Sequence, residues 1–340
     1  MDKVSDEKRF DIAVSIIGGE LKKTLLFLPG YIKTQTYEIR LRGGRPIILH
    51  GKYGSIFLHN SGSTGVSTQN NYICTAEMLT DTFNRLCCYS VHSHLASIVN
   101  GYITIQGGHR AGIVGTAVTD SSGKITSIRD VSGINIRVSR ENIGCSDEII
   151  DNIFSNEAVS CIIAGPPLSG KTTVLRDIIR RLATNVYGKT YKVSVIDERQ
   201  EIACVNGGLA QNDVGINSDV LNCYPKKQGI MTALKTMSPD IIAVDEVGET
   251  GEIEAIKLGV NSGVKFIVTI HACDYSEIIS RPQIEQLLNT YSFDKLVLLD
   301  CGKNIGKIKA VYDTKELRDE IFGRRFSMGK SELCWSGICS

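Results

Sequence analysis

The stretch Gly165-Pro-Pro-Leu-Ser-Gly-Lys-Thr-Thr173 carries the residue types that hold a polyphosphate. Gly165 and Gly170 bracket Pro166, Pro167, Leu168 and Ser169, and a loop so bounded can turn its backbone N–H groups inward as a nest for an anion. Lys171 brings a mobile positive charge to β- and γ-phosphates, the Thr172 hydroxyl is placed to hold Mg²⁺, and Thr173 follows in the first helical turn. A helix beginning near Lys171 aims its positive end at the same phosphates. A nucleoside-triphosphate site is the expectation.

Three further segments end in groups that such a site uses. Ile241-Ile-Ala-Val244 delivers Asp245 and Glu246 at the end of an apolar run. Asp245 is expected to hold Mg²⁺ through water and Glu246 to orient the attacking water. Val193-Ser-Val-Ile-Asp197-Glu198-Arg199 offers a second pair of carboxylates, so either Glu198 or Glu246 positions the water. Ile267-Val-Thr-Ile-His271 ends in a histidine suited to bond the γ-phosphate and report its loss.

These groups need a sheet to gather them. Beyond a polar break at residues 139–147, apolar runs alternate with helical patterns, which is the mark of a parallel sheet. Strands are expected at 161–164, 192–196, 241–244, 265–270, 296–299 and 307–312, and helices at 171–184, 228–237 and 250–261. Residues 206–225, rich in Asn, Gly and Asp, read as a long loop. The fold class is therefore α/β, a RecA-like P-loop NTPase domain over 146–325. A smaller α+β domain over 1–145 precedes it, and a loosely ordered tail over 326–340 follows.

In the first domain, residues 5–28 read as one helix with Ile12, Val14, Ile16 and Ile17 on its apolar face, stopped by Pro29-Gly30. Tyr37–His50 reads as two strands about Gly43-Gly44, with Ile39 and Leu41 on one face and Glu38, Arg40 and Arg42 on the other. A helix is expected from Thr75 to about Tyr89, and His92 and His94 read as surface or core histidines. A hairpin turning at Gly107-Gly108 places Arg110 just past its tip, and a further strand presents Arg137 and ends in Arg140.

Composition narrows the class. The 340 residues carry a net charge of +1 with 22% charged residues, so no global electrostatic footprint for nucleic acid is present. Eleven scattered cysteines without a Cys-x-x-Cys pair argue against a disulfide framework or a zinc site and for a reducing cytoplasm. The N-terminus lacks an apolar signal core, and no run nears the roughly 18 apolar residues that span a bilayer.

The order of a P-loop, an Asp-Glu strand end, a second Asp-Glu and a strand ending in histidine resembles the type II/type IV secretion and pilus-motor ATPases. Further segments are similar to the stage III sporulation protein AA family: Glu38-Ile-Arg-Leu-Arg with Gly44-Arg-Pro46, Gly107-Gly-His-Arg110 with Gly112, and Asn135-Ile-Arg-Val138. So are Asp219-Val-Leu with Pro225-Lys226, and Met237-Ser-Pro-Asp-Ile-Ile-Ala-Val-Asp-Glu-Val-Gly248. The similarity covers roughly residues 35 to 315.

The resemblance implies an ATP hydrolase with ATP and Mg²⁺ as cofactors, assembled as a homo-hexamer at the cytoplasmic face of a membrane. It implies membrane-protein partners in a channel complex joining mother cell and forespore, with this chain on the mother-cell side. Arg110, Arg137 and Arg140 match the family's arginine fingers, with Arg40 and Arg42 as further candidates. The general motors carry Gly-Glu where this chain has Asp245-Glu246, and often a second histidine beside the one matched by His271. A RecA-like nucleic-acid motor and a nucleotide-gated scaffold are the competing readings.

Overall fold

Strand alternation organises the first half of the chain. The computed structural model describes residues 5–99 and 101–322. These fall into two compact units: one runs to Arg140 and also contains Val205–Gln211, and the other holds Glu141–Cys204 and resumes at Asn212. The tail expected over 326–340 lies outside the described residues.

The first unit is built on a seven-stranded sheet. Its strands are β1 (Thr36–Arg42), β2 (Ile48–Gly51), β3 (Gly54–Leu58), β4 (Thr64–Gly65), β5 (Tyr102–Ile105), β6 (His109–Thr119) and β7 (Ile125–Arg137). They lie in the order β4-β3-β2-β1-β7-β6-β5, every neighbouring pair antiparallel. Ile39, Leu41, Ile103, Ala111, Ile134 and Ile136 are buried together in one apolar cluster, and the intervening residues form the other face. Arg45–Pro46 leaves this sheet to pair with Ile73–Cys74.

The single helix expected over 5–28 is instead two, α1 (Asp6–Val14) and α2 (Gly19–Leu26). Gly19 sits at φ +62°, a left-handed backbone that ends helical continuity where the apolar pattern alone ran on. No helix runs through Pro29: α2 ends at Leu26 before it, and Pro29 caps the start of α3 (Gly30–Gln35). A fourth helix, α4 (Ala76–Leu86), is capped by the Thr75 hydroxyl.

The second unit holds a seven-stranded sheet of β8 (Cys161–Gly165), β9 (Val193–Asp197), β10 (Ser218–Asn222), β11 (Ile241–Val244), β12 (Lys265–His271), β13 (Lys295–Leu299) and β14 (Ile308–Asp313). The order is β10-β9-β11-β12-β8-β13-β14; all neighbours are parallel except β13 and β14. Strand β10 falls inside the segment expected as loop. It is an edge strand in which Leu221 alone is buried, so no apolar run betrays it.

Helix α5 (Lys171–Thr184) follows β8 and buries Val174, Leu175, Ile178, Ile179 and Leu182, each contributing roughly 1.5–3 kcal/mol relative to exposure. Asp177 on the same helix is buried too and accepts the Ser146 N–H at 2.9 Å and hydroxyl at 2.7 Å. Helices α6 (Lys226–Thr236) and α7 (Thr250–Asn261) follow β10 and β11.

Candidate active site

Parallel strands deliver their C-terminal ends to one edge of a sheet, and ligands in such sheets bind there. Four adjacent strands, β9, β11, β12 and β8, bring Asp197-Glu198, Asp245-Glu246, His271 and the Gly165–Gly170 loop to that edge. Gly165 of β8 is in register with His271 of β12.

The loop needs its glycines. A Cβ on Gly165 would lie 2.5 Å from Ser169 Oγ, and Gly170, at φ +88°, would press a Cβ to within 3.2 Å of Ile305. The Gly306 N–H fixes the loop from outside by donating to the Ser169 carbonyl at 2.9 Å. Ser169 Oγ is buried and has no hydrogen-bond partner. Pro167 and Leu168 form the exposed tip, with Leu168 in the left-handed region at φ +64°. Pro166 and Thr173 are half-buried, and the Thr173 carbonyl accepts the Cys145 thiol at 3.7 Å.

Lys171 is buried, and its ammonium donates to the carbonyls of Gly165 and Pro166 at 2.9 Å each and to His271 Nδ1 at 3.2 Å. Burial lowers its pKa, against the pull of Asp245 and Glu246. An ammonium only donates, so His271 Nδ1 accepts and the ring proton sits on Nε2. That nitrogen lies 3.3 Å from Glu246 Oε1, while Glu246 Oε2 takes the Arg199 guanidinium at 2.5 Å. Lys171, His271, Glu246 and Arg199 thus form one continuous chain of polar contacts.

Thr172 Oγ1 donates to Asp245 Oδ2 at 2.6 Å, and Thr269 Oγ1 donates to the other oxygen of the same carboxylate. Burial raises the Asp245 pKa, opposed by these two hydroxyls. Thr269 also accepts the Glu246 N–H at 2.8 Å.

The Asp197 carboxylate accepts four backbone N–H groups, from Glu201, Ile202, Ala203 and Cys204, at 2.7–3.2 Å. It is buried and saturated, and it shapes the turn that carries Arg199. Its neighbour Glu198 is half-exposed, 3.7 Å from Lys226 Nζ. A cavity of about 10 Å³, room for one water, lies among Glu198, Lys226, Asp245 and Glu246.

Lys226 and Arg199, to which the sequence alone gives no role, both contact the carboxylates at this edge. The signal for Lys226 was present: it follows Pro225 in the first turn of α6, where the helix dipole disfavours a cation.

The arginines belong to the first unit. Arg110 and Arg137 are register partners on β6 and β7, and Arg137 also opposes Glu38 on β1. Arg137 is exposed, and the Arg110 guanidinium lies 4.6 Å from the Tyr102 ring centroid. Arg40 and Arg42 continue the same face; Arg42 donates to the carbonyls of Leu41 and Ile134. Arg140 is not with them. It pairs with Asp6 at 2.7 Å and donates to the carbonyls of Thr36 and Lys33 at 2.9 and 3.3 Å. His92 and His94 lie on a short 3-10 turn, with His92 exposed.

Among the described residues no helix is long and apolar enough to cross a membrane. The chain is similar in structure to the Legionella pneumophila ATPase DotB, with a TM-score of 0.53 and 16% identity over 98% of this chain and 88% of that one. It is likewise similar to the pilus retraction motor PilT solved with bound ADP, with a TM-score of 0.55 and 16% identity over 87% and 86% of the two chains. Its fold is that of these RecA-like ATPases. In sequence it is 31% identical to stage III sporulation protein AA of Bacillus subtilis (strain 168) over 299 residues, 88% of this chain and 93% of the relative. A family model described as sporulation stage III, protein AA, matches residues 6–318, and the chain belongs to that family.

Proposed function

We propose that the chain hydrolyses ATP and couples the reaction to motion between its parts, driving or assembling a membrane channel complex during endospore formation. The observation that carries this reading is the chain Lys171–His271–Glu246 beside the Thr172–Asp245 bond, all at the end of one sheet. The loop suits a phosphate: its glycines leave a cradle that a Cβ would fill, and Ser169 Oγ stands unpaired within it. The donors beside it, a hydroxyl and a carboxylate, are the hard oxygens that Mg²⁺ takes. Among the described residues no cluster of three or more His, Cys, Asp or Glu could hold a metal alone, so phosphate and water oxygens would complete the shell.

In this reading Thr172 and Asp245 hold Mg²⁺, Asp245 through water. When bound, Mg²⁺ would supply positive charge against the phosphate oxygens. Within residues 165–173 the N–H groups of the non-proline residues bind the phosphates, and Lys171 turns from its own loop carbonyls to the β- and γ-oxygens. Glu246 orients the attacking water; its backbone is held by Thr269 and its carboxylate lies beside His271. Water adds to the γ-phosphorus as the bond to the ADP oxygen breaks, leaving ADP and inorganic phosphate and releasing a proton to solvent. His271 bridges Lys171 and Glu246 and so registers the γ-phosphate. Arg110 or Arg137 supplies charge to the transferring group, whereas Arg140 is engaged elsewhere.

The working unit is proposed to be a homo-hexamer, peripheral at the cytoplasmic face on the mother-cell side, with membrane-protein partners and no nucleic acid. The test is turnover and nucleotide affinity of the full chain beside Lys171→Ala and Glu246→Gln. Lys171→Ala is expected to lose both, and Glu246→Gln to keep binding and retain only a small, measurable residue of hydrolysis. Wild-type turnover in the Lys171→Ala variant would sink the reading.

A further inference from the structure

We infer that Lys226 is a positioning residue that sets the water-orienting carboxylate by clamping the backbone of Glu246. Its functional part rests on the ATP-hydrolysis reading; its structural part stands alone. Lys226 is nearly buried, in the α6 turn where a helix dipole repels a cation. Such a placement costs stability unless the charge is fully engaged.

It is engaged three ways. The ammonium donates to the Glu246 carbonyl at 2.6 Å, lies 3.3 Å from Glu252 and 3.7 Å from Glu198. Glu252 is itself buried and accepts the Gly248 and Glu249 N–H groups at 2.8 and 3.1 Å, closing the start of α7. One cation therefore ties the ends of β9 and β11 to the head of α7.

The reason for a clamp is in the backbone of Glu246. It sits at φ +52°, a conformation that a side chain with a Cβ adopts only when its surroundings hold it. Thr269 fixes its N–H and Lys226 its C=O, so both peptide groups of the strained residue are bound. That conformation turns the carboxylate toward His271 Nε2. Lys226 acts on the chemistry through this geometry.

Two measurements on the full chain, wild type against Lys226→Met, decide it. Hydrogen exchange of the nucleotide-free protein is expected to speed up over 245–248 and stay unchanged over 161–165. In turnover, kcat is expected to fall roughly tenfold or more with KM within about twofold, the pattern of a lost transition-state contribution. Adding Lys226→Met to Glu246→Gln should cost nothing further, because both act through one carboxylate. Unchanged exchange over 245–248 overturns the clamp, and multiplying losses in the double variant overturn its route through Glu246. Absence of hydrolysis in the wild type would defeat the ATPase reading, while the exchange arm still decides the clamp. Should Lys226→Met not fold, Lys226→Leu, which also removes the donor to the carbonyl, is read by the same two criteria.

Discussion

Thr172 Oγ1 donates to Asp245 Oδ2 at 2.6 Å, joining the first turn of the helix after the glycine loop to the end of the strand two places away in the sheet. The carboxylate is raised in pKa by burial, so keeping it ionised costs stability. Its contribution is fully present below the ordinary value of 3.8 and is lost as pH rises through the higher folded value. Asp245→Asn retains the shape and removes the titration. Its stability relative to wild type should therefore rise with pH above about 4, while Mg²⁺-dependent turnover falls at least about a hundredfold. A pH-independent stability difference in urea unfolding would contradict this.

The arginines should separate into two kinds. Arg110 and Arg137 lie side by side on the polar face of the first sheet, and under the proposed role of one of them as a charge donor, its replacement with alanine should cut turnover by about 10³–10⁵. Nucleotide-free stability should barely change. Arg140→Ala should do the reverse, losing about 1.5–3 kcal/mol from its bonds to the Thr36 and Lys33 carbonyls. Single-turnover kinetics paired with thermal unfolding distinguishes them, and an Arg140→Ala protein that is stable but inactive would reverse the assignment.

His109 predicts an acid weakness in the first unit. The ring is fully buried, Nδ1 accepts the Ser139 N–H at 2.9 Å, and Nε2 has no partner. Burial first, then the nearby Arg9 charge, lowers its pKa from 6.5 to about 4. A depressed value gives stability that is present above 6.5 and lost as pH falls through about 4, on the order of 3 kcal/mol. His109→Phe should be less stable at pH 7 yet lose less between pH 7 and pH 4. Parallel unfolding curves for the two proteins across that range would refute it.

The core strands of the second unit were legible because each is a short apolar run ending in a charge or a glycine, as Ile241–Val244 does before Asp245. The loop between β8 and α5 was legible because Gly165, Gly170 and Lys171 stand at a fixed spacing between an apolar run and a helical pattern. Strand β10 was not, since an edge strand with only Leu221 buried has no pattern to read. The break between α1 and α2 was masked by apolar residues on both sides of Gly18-Gly19. Lys226 and Arg140 are harder still. What the sequence does not show is their partners, Glu246 and Asp6, which lie 20 and 134 positions away and meet them only once the chain has folded.

Val205–Gln211 has a bearing on synthesis. The Gly107 N–H gives its hydrogen to the Gln211 side chain at 2.7 Å, and Asn206 reaches the Thr104 carbonyl at 3.4 Å. A nascent chain that has emerged only as far as Arg140 has the whole first sheet but not this segment. The first unit therefore cannot be finished on the ribosome until residue 211 has left the exit tunnel, after β8, α5 and β9 have already been made. Folding in order of synthesis is interrupted, and the tip that bears Gly107 must wait with an open donor for a late-arriving partner.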